Sequence, residues 1–132
     1  MSNIVLDAYS VIAFLEREPG YEQVEKHFEH ASQTGRNLFM CIVNWGEVYY
    51  SVLRETSPTK AEEVRRFLET LPIELVDADM DLTRQAAIYK SSHKMSYADC
   101  FAAALAKRHK ATLITGDKEF KQIESEIKVH WI

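Results

Sequence analysis

Four acidic residues stand where an apolar stretch passes into a helix. They are Asp7 after Ile4-Val5-Leu6, Glu47 after Met40-Cys41-Ile42-Val43, Asp99 after Ser96-Tyr97-Ala98, and Asp117 after Leu113-Ile114-Thr115-Gly116. In a parallel α/β sheet such handovers all fall at one edge, where ligands bind. Carboxylates gathered there repel one another and resist desolvation unless positive charge sits among them. A hard divalent cation answers that need. Magnesium takes oxygen ligands and leaves room for waters, whereas His or Cys ligands would select zinc or copper. Such a site suits phosphodiester hydrolysis, because bound cations supply hydroxide at neutral pH and stabilise the attacking and leaving oxygens.

Each acid also has a purely structural reading. Asp7 and Asp117 can cap the helices they precede, and Glu47 and Asp99 lie three residues after Asn44 and Ser96, the spacing of a capping box. Asp99 fits that reading least. The segment from Tyr97 to Ala106 is apolar on every side, so its helix must be buried. No basic residue follows Asp99 at the third or fourth position. An ionised carboxylate there is costly unless paired or metal-bound. One shared site explains four acids that capping must explain separately.

Other chemistries lack their residues. His27 and His30 are three apart but have no partner pair for zinc. Asp77-Ala78-Asp79 follows a strand-like run as in aspartate-nucleophile phosphatases, yet no lysine-acid segment completes it and Asp79 is needed as a helix cap. There is no glycine-rich phosphate loop and no GxSxG or GxGxxG motif.

The elements that must position the acids read as follows. Strands are expected over residues 3–6, 37–43, 73–76, 112–115 and 129–132, the last at an edge. Helices are expected over 7–15, 21–32, from a cap at Asn44, from Ser57-Pro58 to Leu71, from Asp79 to 91, and from Ser96 to 109. Trp45, Val48, Tyr49, Val52 and Leu53 match a helical apolar stripe, as do Ala61, Val64, Phe67, Leu68 and Leu71. Strands alternating with helices imply a mainly parallel sheet covered on both faces, a three-layer α/β/α domain. At 132 residues, positions 1–132 make one domain. No apolar run approaches a membrane span, and no signal peptide is visible at the start. Cys41 and Cys100 read as buried thiols in a reducing compartment, so a cytoplasmic location is expected. The net charge of −4 argues against a general nucleic-acid binder. Between Lys94 and Lys121, however, six basic residues face three acids, a surplus that suits a phosphate backbone.

Taken in order, several segments resemble the PIN-domain ribonucleases, most closely the VapC-type toxins of toxin–antitoxin pairs. They are Val5-Leu6-Asp7 with Glu18-Pro19-Gly20, Asn44-Trp45-Gly46-Glu47, Ser96 through Ala102, and Leu113 through Phe120. The resemblance spans essentially the whole chain. It implies a PIN-like α/β/α fold with a five-stranded sheet and an endoribonuclease using Mg2+, with Mn2+ as an alternative. Asp7, Glu47, Asp99 and Asp117 match the metal-binding, catalytic acids, Thr115 the hydroxyl supporting the last acid, and Asn44 the polar residue opening the second motif. The partners implied are an RNA substrate, a VapB-like antitoxin and a second copy of the chain. One departure stands out: Tyr9 occupies a position where the family often has Ser or Thr, with Ser10 next. Exposed Tyr50 and Trp131 are expected to stack bases or cover a dimer interface.

Two alternatives remain at this point. A PIN-like module could keep the fold for binding without catalysis. A phosphoacceptor receiver domain has similar length and acidity, but its mid-chain acceptor aspartate is missing, since Arg54-Glu55-Thr56 stands there.

Overall fold

The computed structural model describes residues 3–132. Five strands, β1 (Ile4–Leu6), β2 (Leu38–Cys41), β3 (Ile73–Val76), β4 (Thr112–Thr115) and β5 (Lys128–Trp131), form one sheet in the order β3-β2-β1-β4-β5. Every pairing is parallel. Six helices join them: α1 (Ala8–Glu16), α2 (Tyr21–Thr34), α3 (Ile42–Glu55), α4 (Pro58–Leu68), α5 (Met80–Ser92) and α6 (Tyr97–Arg108). A 3-10 helix, Lys118–Ile123, precedes β5. The three-layer α/β/α expectation is met.

The pleat sorts the core into two halves. Leu6 is in register with Met40 and Ile114, and all three pack beneath α1 to α4. Val5 is in register with Phe39 and Leu113, which face α5 and α6. A strand covered on both faces needs an unbroken apolar run, and Ile4-Val5-Leu6 supplies it. From Cys100 to Ala106 every residue of α6 is buried, as its all-round apolar sequence requires. Because β1 connects outward to β2 while β4 lies on its other side, the strand order reverses at β1–β4. That is the point where open α/β sheets bind ligands.

Local chemistry sets most element starts. The side chains of Asp7, Ser57, Asp79, Ser96 and Asp117 each accept a hydrogen bond from a backbone N–H of the turn they cap. Gly20 has φ +97° and sits so close to the chain end that a Cβ there would lie 2.9 Å from the Ile132 Cβ.

Three expectations are corrected. The second strand stops at Cys41, and α3 begins at Ile42 with Asn44 already in its first turn rather than capping it. The partner strands end at Leu6 and Val76, so beyond Cys41 no ladder remains and the backbone of Ile42-Val43 finds its hydrogen bonds in a helix. Helix α4 ends at Leu68, and Phe67 is 45% exposed instead of buried. Its ring stacks on Phe14 at 6.5 Å and helps to line an open groove between α1, α3 and α4 that the core does not fill. Leu53 is likewise exposed, and Trp131 is partly covered, whereas Tyr50 is exposed as expected.

Candidate metal centre

Asp7 leaves the carboxyl end of β1 and caps α1. Its Oδ1 accepts the Ser10 backbone N–H at 2.9 Å, and its Oδ2 accepts the Thr115 hydroxyl. The Ser10 hydroxyl donates instead to the Asp7 main-chain carbonyl, at 3.0 Å. Thr115, fully buried at the end of the adjacent strand β4, also accepts from the Asp117 backbone N–H at 3.0 Å. One hydroxyl thereby ties the first acid to the turn that carries the last. Burial drives the Asp7 carboxyl up to about 6, against the Thr115 and Ser10 hydrogen bonds and with a further push from the charge of Asp117.

Asp99 occupies the first turn of α6. Ser96 caps that helix, its hydroxyl accepting the Asp99 backbone N–H at 3.1 Å. In a capping box the acid three residues on would reach back to the cap's own N–H. Here Glu119, from the 3-10 helix, takes that N–H at 3.1 Å. The Asp99 carboxylate is left over for other work. Its oxygens come together with those of Asp117 and Glu119, one from each residue lying within 4.8 Å of the others. Burial raises Asp99 to about 9, reinforced by hydrogen bonds with Glu119 and Asp117 and by the charges of Asp117 and Asp7. Glu119 moves the other way, lowered chiefly by the hydrogen bond from Asp99 and then by the Ser96 N–H. The contact thus pushes the two carboxyls in opposite directions.

Glu47 approaches from α3. The buried Asn44 amide donates to its Oε1 at 3.2 Å and to the Ala98 carbonyl at 3.0 Å, locking α3 to the start of α6. Burial raises the Glu47 carboxyl, the Asn44 hydrogen bond opposes this, and the charge of Asp117 adds to it. Asp117 is the common neighbour, acting electrostatically on Asp7, Glu47 and Asp99.

All four acids expected from the sequence therefore meet at one edge, although the tightest oxygen group is Asp99, Asp117 and Glu119. Glu119 is a member of this oxygen group that sequence reading did not single out, and its place two residues beyond Asp117 was the available signal. The donors are all oxygen, the set a hard divalent cation takes and a soft one avoids. Asn44 Oδ1 adds a buried oxygen with no partner among the described residues. The cluster fits a divalent cation.

The basic surplus divides. Lys107 pairs with Glu126 at 3.4 Å and Arg108 with Asp79 at 2.7 Å, at the end of α6 whose His109 carbonyl is bonded by Asn3 ahead of β1. Lys94, Lys118 and Lys121 lie on the segments that frame the site, with the Lys94 backbone joined to Gln122.

The PIN domain family model matches residues 4–126. The chain belongs to the PIN-domain family. No curated protein gives a significant sequence match. Among solved structures, this PIN domain is similar to a chain of the DNA-bound VapBC of Salmonella typhimurium, at 19% identity over 98% of each chain and a TM-score of 0.76. It is also similar to VapBC2 of Rickettsia felis bound to promoter DNA, at 18% identity, 98% of each chain and TM-score 0.73. A third is VapC20 of Mycobacterium tuberculosis, described as a Sarcin-Ricin loop cleaving toxin, at 15% identity, 91% of this chain, 94% of that one and TM-score 0.67. At these identities the likeness is one of fold. No helix among the described residues is long and apolar enough to cross a membrane.

Proposed function

We propose that this PIN domain is a magnesium-dependent endoribonuclease, with manganese as an alternative ion, and the toxin of a VapBC-type toxin–antitoxin pair. The observation that carries the reading is the convergence of Asp99, Asp117 and Glu119 oxygens within 4.8 Å, with Asp7 and Glu47 around them, at the reversal point of a PIN sheet. Similarity to chains of VapBC complexes and to a toxin that cleaves the Sarcin-Ricin loop supports the substrate class and the partner.

Asp99, Asp117 and Glu119 would hold the cation, with Asp7 and Glu47 completing the negative wall. When bound, the cation lowers the pKa of a water and neutralises charge on the scissile phosphate. The chain supplies placement. Thr115 fixes the Asp7 carboxylate, the Ser96–Glu119 bond fixes the Glu119 carboxylate, and Asn44 fixes Glu47. Asp99, raised by burial, would serve as a ligand in its deprotonated form.

The antitoxin reading has its own support in the groove between α1, α3 and α4. Its floor includes Ile12, Leu15, Val52 and Val64, and Glu16, Glu18, Glu55 and Glu63 rim it, with Lys60 paired to Glu63 at 3.7 Å. The charges of Glu18 and Glu55 add to burial in raising Glu16, so the rim is crowded with like charge and suits a basic amphipathic antitoxin helix. A homodimer in the cytoplasm is the state proposed for the free toxin.

The test is cleavage of RNA with magnesium by the wild type and by Asp7→Asn and Asp99→Asn. Both variants should fold and be inactive, and expression of the wild type should arrest growth until the cognate antitoxin is supplied. Cleavage surviving either substitution, or persisting in a chelator, would refute the metal-centre assignment.

A further inference from the structure

The first turn of α1 presents one residue to solvent. Asp7, Ala8, Ser10 and Val11 are all buried, while Tyr9 between them is 44% exposed. Its tip lies against Gly116. A Cβ added at Gly116 would lie 2.3 Å from the Tyr9 Cε1, 2.6 Å from Cζ and 2.8 Å from the hydroxyl oxygen. The phenol end therefore rests over the turn between Thr115 and Asp117. No described residue hydrogen-bonds the Tyr9 hydroxyl. The fold thus places an aromatic ring beside the acidic cluster while leaving much of it bare.

A ring so placed answers a need of the site. The substrate proposed above is a polyanion, and the cluster that must receive it is itself negative. Much of the nearby positive charge is already engaged: Lys107 and Arg108 are ion-paired, and Lys90 donates to the Met95 carbonyl. Affinity that does not depend on charge is wanted there. Stacking of a base on an aromatic side chain provides it, because every base has an apolar π-face.

We propose that Tyr9 is the platform on which an unpaired base of the RNA stacks as its phosphodiester enters the acidic cluster, an inference that rests on the ribonuclease reading. Tyr9 is a substrate-binding residue in this scheme.

The test is steady-state cleavage of a mixed-sequence single-stranded RNA with magnesium over a range of salt concentrations, using wild type, Tyr9→Phe, Tyr9→Leu and Tyr9→Ala. Melting temperatures are recorded on the same samples. Stacking predicts a KM raised about 5- to 150-fold in Tyr9→Ala, the range for loss of one stacked base. It also predicts a near-normal kcat, a wild-type KM in Tyr9→Phe, and an unchanged slope of log KM against log salt, since no phosphate contact is lost. Tyr9→Leu retains apolar bulk over Gly116, so it should keep stability while sharing the raised KM. Wild-type KM in a folded Tyr9→Ala or Tyr9→Leu would overturn the proposal. So would a Tyr9→Phe as impaired as the alanine variant, which would assign the role to the hydroxyl. If the wild type itself cleaves no RNA with magnesium, the ribonuclease reading fails and this inference falls with it, a result distinct from cleavage indifferent to Tyr9.

Discussion

Asp99→Asn should make the metal-free protein more stable while destroying its response to cations. A carboxyl whose folded value is raised above its ordinary one takes up a proton on folding. Its contribution is neutral below about 4, and stability then declines with rising pH until the folded value near 9 is reached. At pH 7 roughly three units of that interval have been crossed, worth roughly 4 kcal/mol at 1.36 kcal/mol each. Glu119 returns part of this, because the same hydrogen bond that raises Asp99 lowers Glu119. A net penalty of about 2 kcal/mol is a reasonable scale, equivalent to roughly 5–8 °C for a chain of this size. Asparagine is the isostere of the protonated acid and removes that penalty. Thermal melts of metal-free wild type and Asp99→Asn at pH 5, 7 and 9 should therefore diverge as pH rises, the variant melting higher. Magnesium or manganese should raise the melting temperature of the wild type and leave that of Asp99→Asn nearly unmoved. An Asp99→Asn protein that melts lower than wild type at pH 7, or responds equally to the cations, would refute the argument.

Two further substitutions probe the supports. Thr115→Val keeps the volume but deprives the Asp7 carboxylate and the Asp117 backbone N–H of their shared hydroxyl. It should cost about 1–3 kcal/mol in chemical denaturation and lower cation affinity by calorimetry, with Thr115→Ser restoring both. Glu119→Gln keeps an acceptor for the Ser96 N–H but removes one negative oxygen from the cluster. It should therefore weaken manganese binding by titration while shifting the melting temperature of the metal-free protein little, and an unchanged manganese affinity would exclude Glu119 as a ligand.

Much of this protein is legible without coordinates. Helix starts announce themselves because capping is local: Asp7, Ser57, Asp79, Ser96 and Asp117 satisfy amides two or three residues away. The extent of β3 and β4, the all-round burial of α6 and the isolation of Asp99 within it follow from apolar patterning alone. So does the grouping of acids at one edge, because every parallel strand ends on the same side.

Tertiary structure decided what depends on distant partners. The end of β2 lies at Cys41 because the neighbouring strands stop there, and this moved Asn44 from a cap into the first turn of a helix, where it joins Glu47 to the Ala98 carbonyl. Phe67 and Leu53 fit a helical stripe, yet helix neighbours left them uncovered. The pairing of Lys107 with Glu126 and of Arg108 with Asp79 needed elements distant in sequence to pack on α6. Above all, Thr115 meets Asp7 across 108 residues, and Glu119 takes the Ser96 amide that local pattern would assign to Asp99. Local sequence dictates what each carboxylate can bond nearby, whereas its freedom to hold a cation depends on which remote group satisfies its neighbours first.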